Sequence, residues 1–535
     1  MHAYNTKAYP GHAVGRGRFQ QGKSFMHRFM RRLNHTAMLL LLLAWTGLPH
    51  HAGAQPAAPA SNVTTYHADA ARSGHYQAAG LTWGAAASLT PDPNFDGRVP
   101  GHVYAQPLFW QAKDQPGLLI VATQDDVVIA LDAGSGKIVW QARLGTPVPL
   151  SALACGNTDP LGITGTPVID PAAGAVYLDA MVNNGYGPRH EVFGLRLADG
   201  AVLPGWPLDV GTALTARGIR FVARDQNQRA ALTLLDGRIY LGYGGHAGDC
   251  GQYHGMVLAF GTSPPGLAAA WVTRGAKAGI WSPGGISVAD GHLYFATGNS
   301  DPSPSRGAGW DDSNGAFRET PDLRHSTDPA AVFSPRDYAA LDDDDLDLAG
   351  TVPLPIDLPG GAHRLLAMGK DGNAYLLDRG NLGGIGGALV VRRVANGPVI
   401  QAPVTYRNGG RTLVVYRAPG AICPDGRSTT AVVALAVTEG ALTPAWCAPI
   451  DGRGIPMVTT TGPEANPIVW VAGAEGDERL HGYRGDAGAA LYASEPLPGL
   501  RHFVTPMVAA GRLYLAGDGR VFAFRWQADG EEAQR

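Results

Sequence analysis

The residue types able to do chemistry fall in a few short stretches. "ALDAGSGKIVW" (Ala130–Trp140) contains Gly-Ser-Gly-Lys, the composition of a phosphate-cradling loop. Such a loop needs Gly-x-x-x-x-Gly-Lys-Ser/Thr after a strand and at the opening of a helix. Here Lys137 is followed by Ile138, Val139 and Trp140, a strand pattern, and the first glycine is misplaced. Asp132 and Gly136 read instead as a hairpin turn, so no nucleotide site is expected. In "YGGHAGDCGQYHG" (Tyr243–Gly255), His246 and His254 flank Cys250, but no third ligand at zinc spacing accompanies them. The run Asp342–Asp347 is dense in carboxylates without EF-hand spacing. It reads either as a solvated acidic loop or as oxygen ligands for calcium. No Cys-x-x-Cys-His occurs, which excludes covalently attached c-type haem and leaves any redox chemistry dependent on a separate electron acceptor.

The composition indicates what scaffold must hold these residues. Of 535 residues, 45% are hydrophobic and 16% charged, enough for a buried core and too little charge for a solvated chain. The 73 Gly and 40 Pro fall singly between short apolar runs, as in an all-β protein with many turns. A net charge of −3 without basic blocks argues against nucleic acid as a partner.

"MHRFMRRLNHTAMLLLLLAWTGLPHHAGA" (Met26–Ala54) has a basic start, an apolar run of leader length and a small-x-small site at Ala52-Gly53-Ala54. The apolar run is short for a bilayer span, so residues 1–54 read as an N-terminal extension and cleavable signal peptide, with a signal anchor as the alternative. A periplasmic or secreted protein without a stable membrane span is expected. The four cysteines suit that compartment. Cys423 and Cys447, in neighbouring strands of one repeat, are expected to pair, leaving Cys155 and Cys250 to pair across repeats.

Past a linker at 55–62, the chain is self-similar from 63 to 527, with a polar tail at 528–535. Entry strands such as "TGTPVID", "WSPGGIS" and "QAPVTYR" precede second strands such as "AVYLDAMV", "HLYFATGN" and "TLVVYRAPG". Third strands such as "VIALDAG", "AYLLDRG" and "VFAFRWQ" follow. About eight such units of roughly 50–70 residues indicate an eight-bladed β-propeller of four-stranded antiparallel blades. Closing the ring with N- and C-terminal strands removes the exposed edges that a stacked solenoid would keep. "VTTYHADAARSGHY" (Val63–Tyr76) is expected to supply the closing strand with the last unit.

"ALDAGSGKIVW" also resembles the tryptophan-docking repeat of the pyrroloquinoline quinone (PQQ) propeller family, Ala-x-Asp-x-x-x-Gly-x-x-x-Trp. That family includes periplasmic quinoprotein alcohol dehydrogenases and cofactor-free scaffold relatives. "FATGNSDPSP" (Phe295–Pro304) is similar to the family's Gly-Asn-Pro segment, with Ser300 in place of the proline. The resemblance implies that Asn299 is a calcium ligand, that Trp281 lies beneath the quinone, and that Lys370 in "LLAMGKDGNAYLLDR" contacts its oxygens. "DDLDLAG" (Asp344–Gly350) resembles the family's Asp/Glu-x-Asp-Tyr-Ala-Gly segment. Arg318-Glu319 is the nearest match to the family's Arg-Asp base, making Glu319 the implied catalytic base, and Asp249 is the nearest acidic calcium ligand. The family's vicinal Cys-Cys is replaced by Cys155-Gly156. Simpler structural roles fit the same residues: Trp281 as a blade-packing aromatic, Asn299 as a turn residue and Lys370-Asp371-Gly372 as a hairpin turn.

Two functions are therefore expected. One is a non-catalytic binding or scaffold propeller whose loop-rich face takes a protein partner. The other is a PQQ- and calcium-dependent dehydrogenase that oxidises an alcohol or sugar hydroxyl. Neither needs haem, zinc or a nucleotide.

Overall fold

The computed structural model describes residues 62–303 and 309–527. The expected leader, all of the linker but its last residue, and the C-terminal tail lie outside the described residues. Eight sheets follow one another along the chain, each an antiparallel run of three or four strands from one repeat, with extra strands joining four of them. In the first blade the strands are Leu108–Trp110, Leu118–Ala122, Val127–Asp132 and Ile138–Arg143. Their apolar residues come in continuous runs rather than alternating with polar ones, because both faces of a blade are covered. Leu118–Ala122 is buried throughout. Leu118 and Ile120 pack with Val176 and Leu178 of the second blade, burying the faces that one blade leaves open.

The opening motif shows how a repeat docks on its neighbour. Asp132 Oδ1 accepts from the Ser135 amide at 2.8 Å and the Gly136 N–H bonds the Asp132 carbonyl, which makes the hairpin. Trp140 then crosses to the second blade, where its Nε1 donates to the Leu197 carbonyl at 2.9 Å. A β-carbon at Gly200 would lie 2.5 Å from its ring.

Ring closure differs from expectation. The outer strand of the eighth blade is made by Thr90–Pro91 and Gly97–Arg98, which pair with Arg520–Arg525. Residues 63–77 do something else: they run past the innermost strands. Val63 bonds Phe109 in both directions. The carbonyls of Thr64, Ala70, Ser73 and Gly74 accept from Ile169, Val288, Thr405 and Val458, each at 2.8 Å. These donors lie on the first strands of the second, fourth, sixth and seventh blades. His75–Gln77 then pairs parallel with Val458–Thr460. The segment thus satisfies edge groups that would otherwise face the axis unpaired. It passes so close to Val404 that a β-carbon at Gly74 (φ 65°) would lie 2.3 Å from that side chain. Arg72, fully buried, holds the segment in place with bonds to Thr65, the Tyr66, Leu232 and Ile286 carbonyls, and Thr233.

The cysteines pair as Cys155–Cys250, with Cα atoms 5.9 Å apart, and Cys423–Cys447, 5.4 Å apart. Among the described residues, no helix is long and apolar enough to cross a membrane.

A buried polar bridge joins the second and third blades. Asp179 contacts His190 Nδ1 at 2.7 Å and accepts from Tyr243 at 2.8 Å, while His190 Nε2 meets the Gln226 carbonyl at 3.0 Å. Burial opposes the imidazolium, but the adjacent Asp179 carboxylate outweighs it, so the His190 pKa lies above its ordinary value. A raised basic pKa contributes stability that is complete below the unfolded-state value near 6.5 and is lost as pH rises through the folded-state value. Denaturant titrations are therefore expected to show stability declining from pH 6 towards pH 9, with His190→Gln flattening that slope.

Candidate functional site

The ends of the second strands in the third, fourth and fifth blades lie on one face, and the loops leaving them carry most of the predicted residues. Trp281 lies on the loop entering the fourth blade. Asn299 lies on the loop leaving that blade's second strand, His292–Ala296. Two backbone bonds clamp these loops together, Gly298 N–H to Gly279 and Ala278 N–H to Asn299. Lys370 follows the second strand of the fifth blade, His363–Met368, and its Nζ is 5.6 Å from the Trp281 ring centroid. Asp249 follows the second strand of the third blade, Arg238–Gly245, and accepts from Tyr253 at 2.5 Å. The fold therefore gathers Trp281, Asn299, Lys370 and Asp249 on the same face. The Lys370 loop is also a tight turn, closed by Gly372 N–H to Gly369.

Glu319 is not among them, which corrects its assignment as the base. It ends the strand Ala316–Glu319 and pairs in register with Leu293. Asn299 is six residues further along the neighbouring strand and its loop, a span of about 20 Å if extended. Glu319 is buried instead near Trp271 and His325, where its carboxylate accepts from the Ser326 amide at 3.0 Å. Burial raises its pKa.

The carboxylate at the site is Asp347. It is 4% exposed, and its Oδ1 accepts from the Asn299 N–H at 2.7 Å. Its Oδ2 pairs with Lys370, which also meets Asp345 at 2.8 Å. A β-carbon at Gly298 would lie 2.2 Å from Asp347 and 3.4 Å from Trp281 Nε1, so only glycine lets the three groups converge. Burial raises the Asp347 pKa against the opposing Lys370 charge. Burial also works against the Lys370 ammonium, but Asp347 outweighs it and holds the lysine charged. Within the acidic run, Asp342 turns inward as well and accepts from the Ser300 amide, Ser313 and Asn314. Asp343–Asp345 remain exposed. The run is therefore neither simply solvated nor a cage: its two ends position the Asn299 loop.

A second cation went unnoticed in the sequence. Arg229, on the segment entering the third blade, lies 6.0 Å from the Trp281 centroid and has no hydrogen bond or ion pair among the described residues. Burial lowers its pKa. Arg229 and Tyr66 also line a small cavity of about 20 Å³, room for roughly one water. The Cys155–Cys250 bridge lies beside this face, immediately after Asp249. His246 and His254 each bond a backbone carbonyl and do not form a metal site. Among the described residues, no group of three or more His, Cys, Asp or Glu side chains is placed to hold a metal.

The arrangement offers an aromatic face with two cations near it, a side-chain amide on Asn299 with no partner among the described residues, and a buried carboxylate within reach. Those donors fit a flat, conjugated, anionic molecule, and the amide and carboxylate oxygens fit a hard cation beside it.

No protein-family model matches the chain, and neither does any curated protein sequence. Solved structures do resemble it. The quinohemoprotein alcohol dehydrogenase of Comamonas testosteroni is 16% identical with a TM-score of 0.62, over 86% of this chain and 80% of that one. The quinohemoprotein alcohol dehydrogenase ADHIIG of Pseudomonas putida HK5 is 14% identical with a TM-score of 0.62, over 89% and 82%. A europium-containing methanol dehydrogenase is 12% identical with a TM-score of 0.59, over 86% and 90%. At these identities the likeness is one of fold.

Proposed function

We propose that this chain, which has the PQQ-like eight-bladed propeller fold, is an exported quinoprotein-type oxidoreductase acting on an alcohol or sugar hydroxyl. The observation that carries the proposal is Asp347: a buried carboxylate held between the Asn299 backbone N–H and Lys370, beside Trp281. The two disulfides support an oxidising compartment.

Trp281 would hold a planar quinone by its face, with Lys370 and Arg229 meeting anionic oxygens. The Asn299 amide and the Asp249 carboxylate would hold calcium. Such a quinone, when bound, supplies the acceptor for the hydride that leaves the substrate carbon. Asp347 would take the hydroxyl proton onto a carboxylate oxygen as that hydride leaves. Burial raises its pKa, which strengthens it as a proton acceptor relative to an exposed carboxylate. Lys370 would stabilise the negative charge that develops on the acceptor oxygens. Electrons would then pass to a separate acceptor.

One observation favours the scaffold reading: Cys155 is committed to Cys250, so no vicinal cysteine pair covers Trp281. Reconstitution decides between the two. Purified protein incubated with PQQ and calcium is expected to retain quinone absorbance after desalting. Trp281→Ala should weaken uptake by about 10-fold or more, the loss of an aromatic contact worth over 1 kcal/mol. No uptake by the wild type, or undiminished uptake by Trp281→Ala, would overturn the enzyme reading and leave a binding or scaffold propeller.

A further inference from the structure

Between the sixth and seventh blades the loop-rich face opens into a cleft of about 880 Å³. Arg417, on the strand Arg411–Ile422, lines it. Only 7% of this residue is exposed, yet among the described residues its guanidinium has no hydrogen bond or ion pair, and its Nε is buried without an acceptor. Gln401, 1% exposed, lines the same cleft. Its Nε2 reaches the Arg453 carbonyl at 3.4 Å, while its Oε1 has no donor. A buried cation and a buried acceptor, both unsatisfied and bordering one open space, are costly to the protein alone. They are the pattern expected where a ligand completes the bonds.

The rest of the lining narrows the chemistry. Arg453 adds a second positive charge, 3.8 Å from Glu475. Asp451, Asp477 and Glu475 add negative charge, of which Glu475 is taken by His502 at 2.6 Å and Asp477 by His481 at 2.8 Å. Asp451 is the acid that acts on Arg417, and Arg453 is the cation that does. A polyanion would meet those carboxylates, whereas a single carboxylate could pair with the Arg417 fork. Gln401 Oε1 requires a donor nearby on the same molecule.

We infer that this cleft binds a small solute that joins one carboxylate to a neighbouring hydroxyl or amino donor, independently of what occupies the Trp281 site. Calorimetry and thermal shift at matched ionic strength, with lactate, alanine, acetate and inorganic phosphate, test this on the full chain. Lactate or alanine is expected to give a saturable rise in Tm, and which of them does so tells hydroxyl from amine. Acetate, lacking the donor, should bind about 10-fold more weakly, as for one lost hydrogen bond. Phosphate should do no more than chloride. Arg417→Met is expected to abolish the shift while leaving the unliganded Tm unchanged or higher, because it removes an unpaired buried charge. The inference is overturned by the absence of a saturable shift with either solute, by tighter binding of acetate or phosphate, or by a shift that survives in Arg417→Met. A large fall in the unliganded Tm of Arg417→Met would assign the arginine to structure instead.

Discussion

Asp347→Asn is expected to lower kcat for alcohol oxidation by the reconstituted protein by about 10³-fold, the range of a lost general base. Quinone uptake should change far less, because Asn keeps the size of the side chain and can still accept from the Asn299 amide. Glu319→Gln is the contrasting variant. Its carboxylate lies near Trp271 and His325, so dye-linked turnover should stay close to that of the wild type. The reverse outcome would return the base to Glu319 and contradict the register of the fourth blade. The pH profile adds a second reading. Burial raises the Asp347 pKa, so the acid limb of kcat should fall above the ordinary carboxylate range. Activity should rise with pH through that limb, and Asp347→Asn should remove it.

The largest effect on stability is expected at Arg72. Burial draws its pKa down to about 10, which leaves it charged at neutral pH, fully enclosed and satisfied only by oxygens of neighbouring segments. Replacing it by Ala strands the Leu232 and Tyr66 carbonyls and the Thr65 hydroxyl in a dry interior, and leaves the Thr233 hydroxyl and the Ile286 carbonyl bonded only to each other. The cost should be about 3–5 kcal/mol, as for other buried charged groups stripped of their network. Arg72→Met fills the volume but restores none of the bonds, so it should recover little. Arg98→Ala, at an exposed pair with Asp96, serves as the surface control and should leave the denaturation midpoint nearly unchanged. Chemical denaturation of the three variants checks the ranking.

The eight blades were legible because their signal is local: an apolar run, a turn residue and another apolar run, repeated. Trp281, Asn299 and Lys370 each lie in a loop whose sequence resembles a known pattern, and the fold brings those loops together. Asp347 was harder to single out. Six residues, five of them acidic, stand at 342–347, and which of them turn inward depends on contacts with Ser300 and Asn299, more than forty residues away. Glu319 was misplaced because adjacency to an arginine says nothing about which end of a strand faces the site. Arg229 lies in "NQRAALTLL", where a lone charge entering an apolar strand was the only hint of a buried cation. The closing strand was missed for a similar reason. "TPDPNFDGR" is rich in turn formers, and only pairing with Arg520–Arg525 makes its ends strands.

The run of residues 63–77 past the first strands of five blades has a consequence in time. That segment is among the first parts of the described chain to be synthesised, yet its partners extend to Val458, and the strands at 90–98 wait for Arg520–Arg525. Contacts this distant make loop closure the slow part of folding. Early blades can form their own hairpins, but the axis is sealed and the ring locked only after the last blade has emerged. Such a chain cannot complete its ring until synthesis is nearly finished, however early its individual hairpins form.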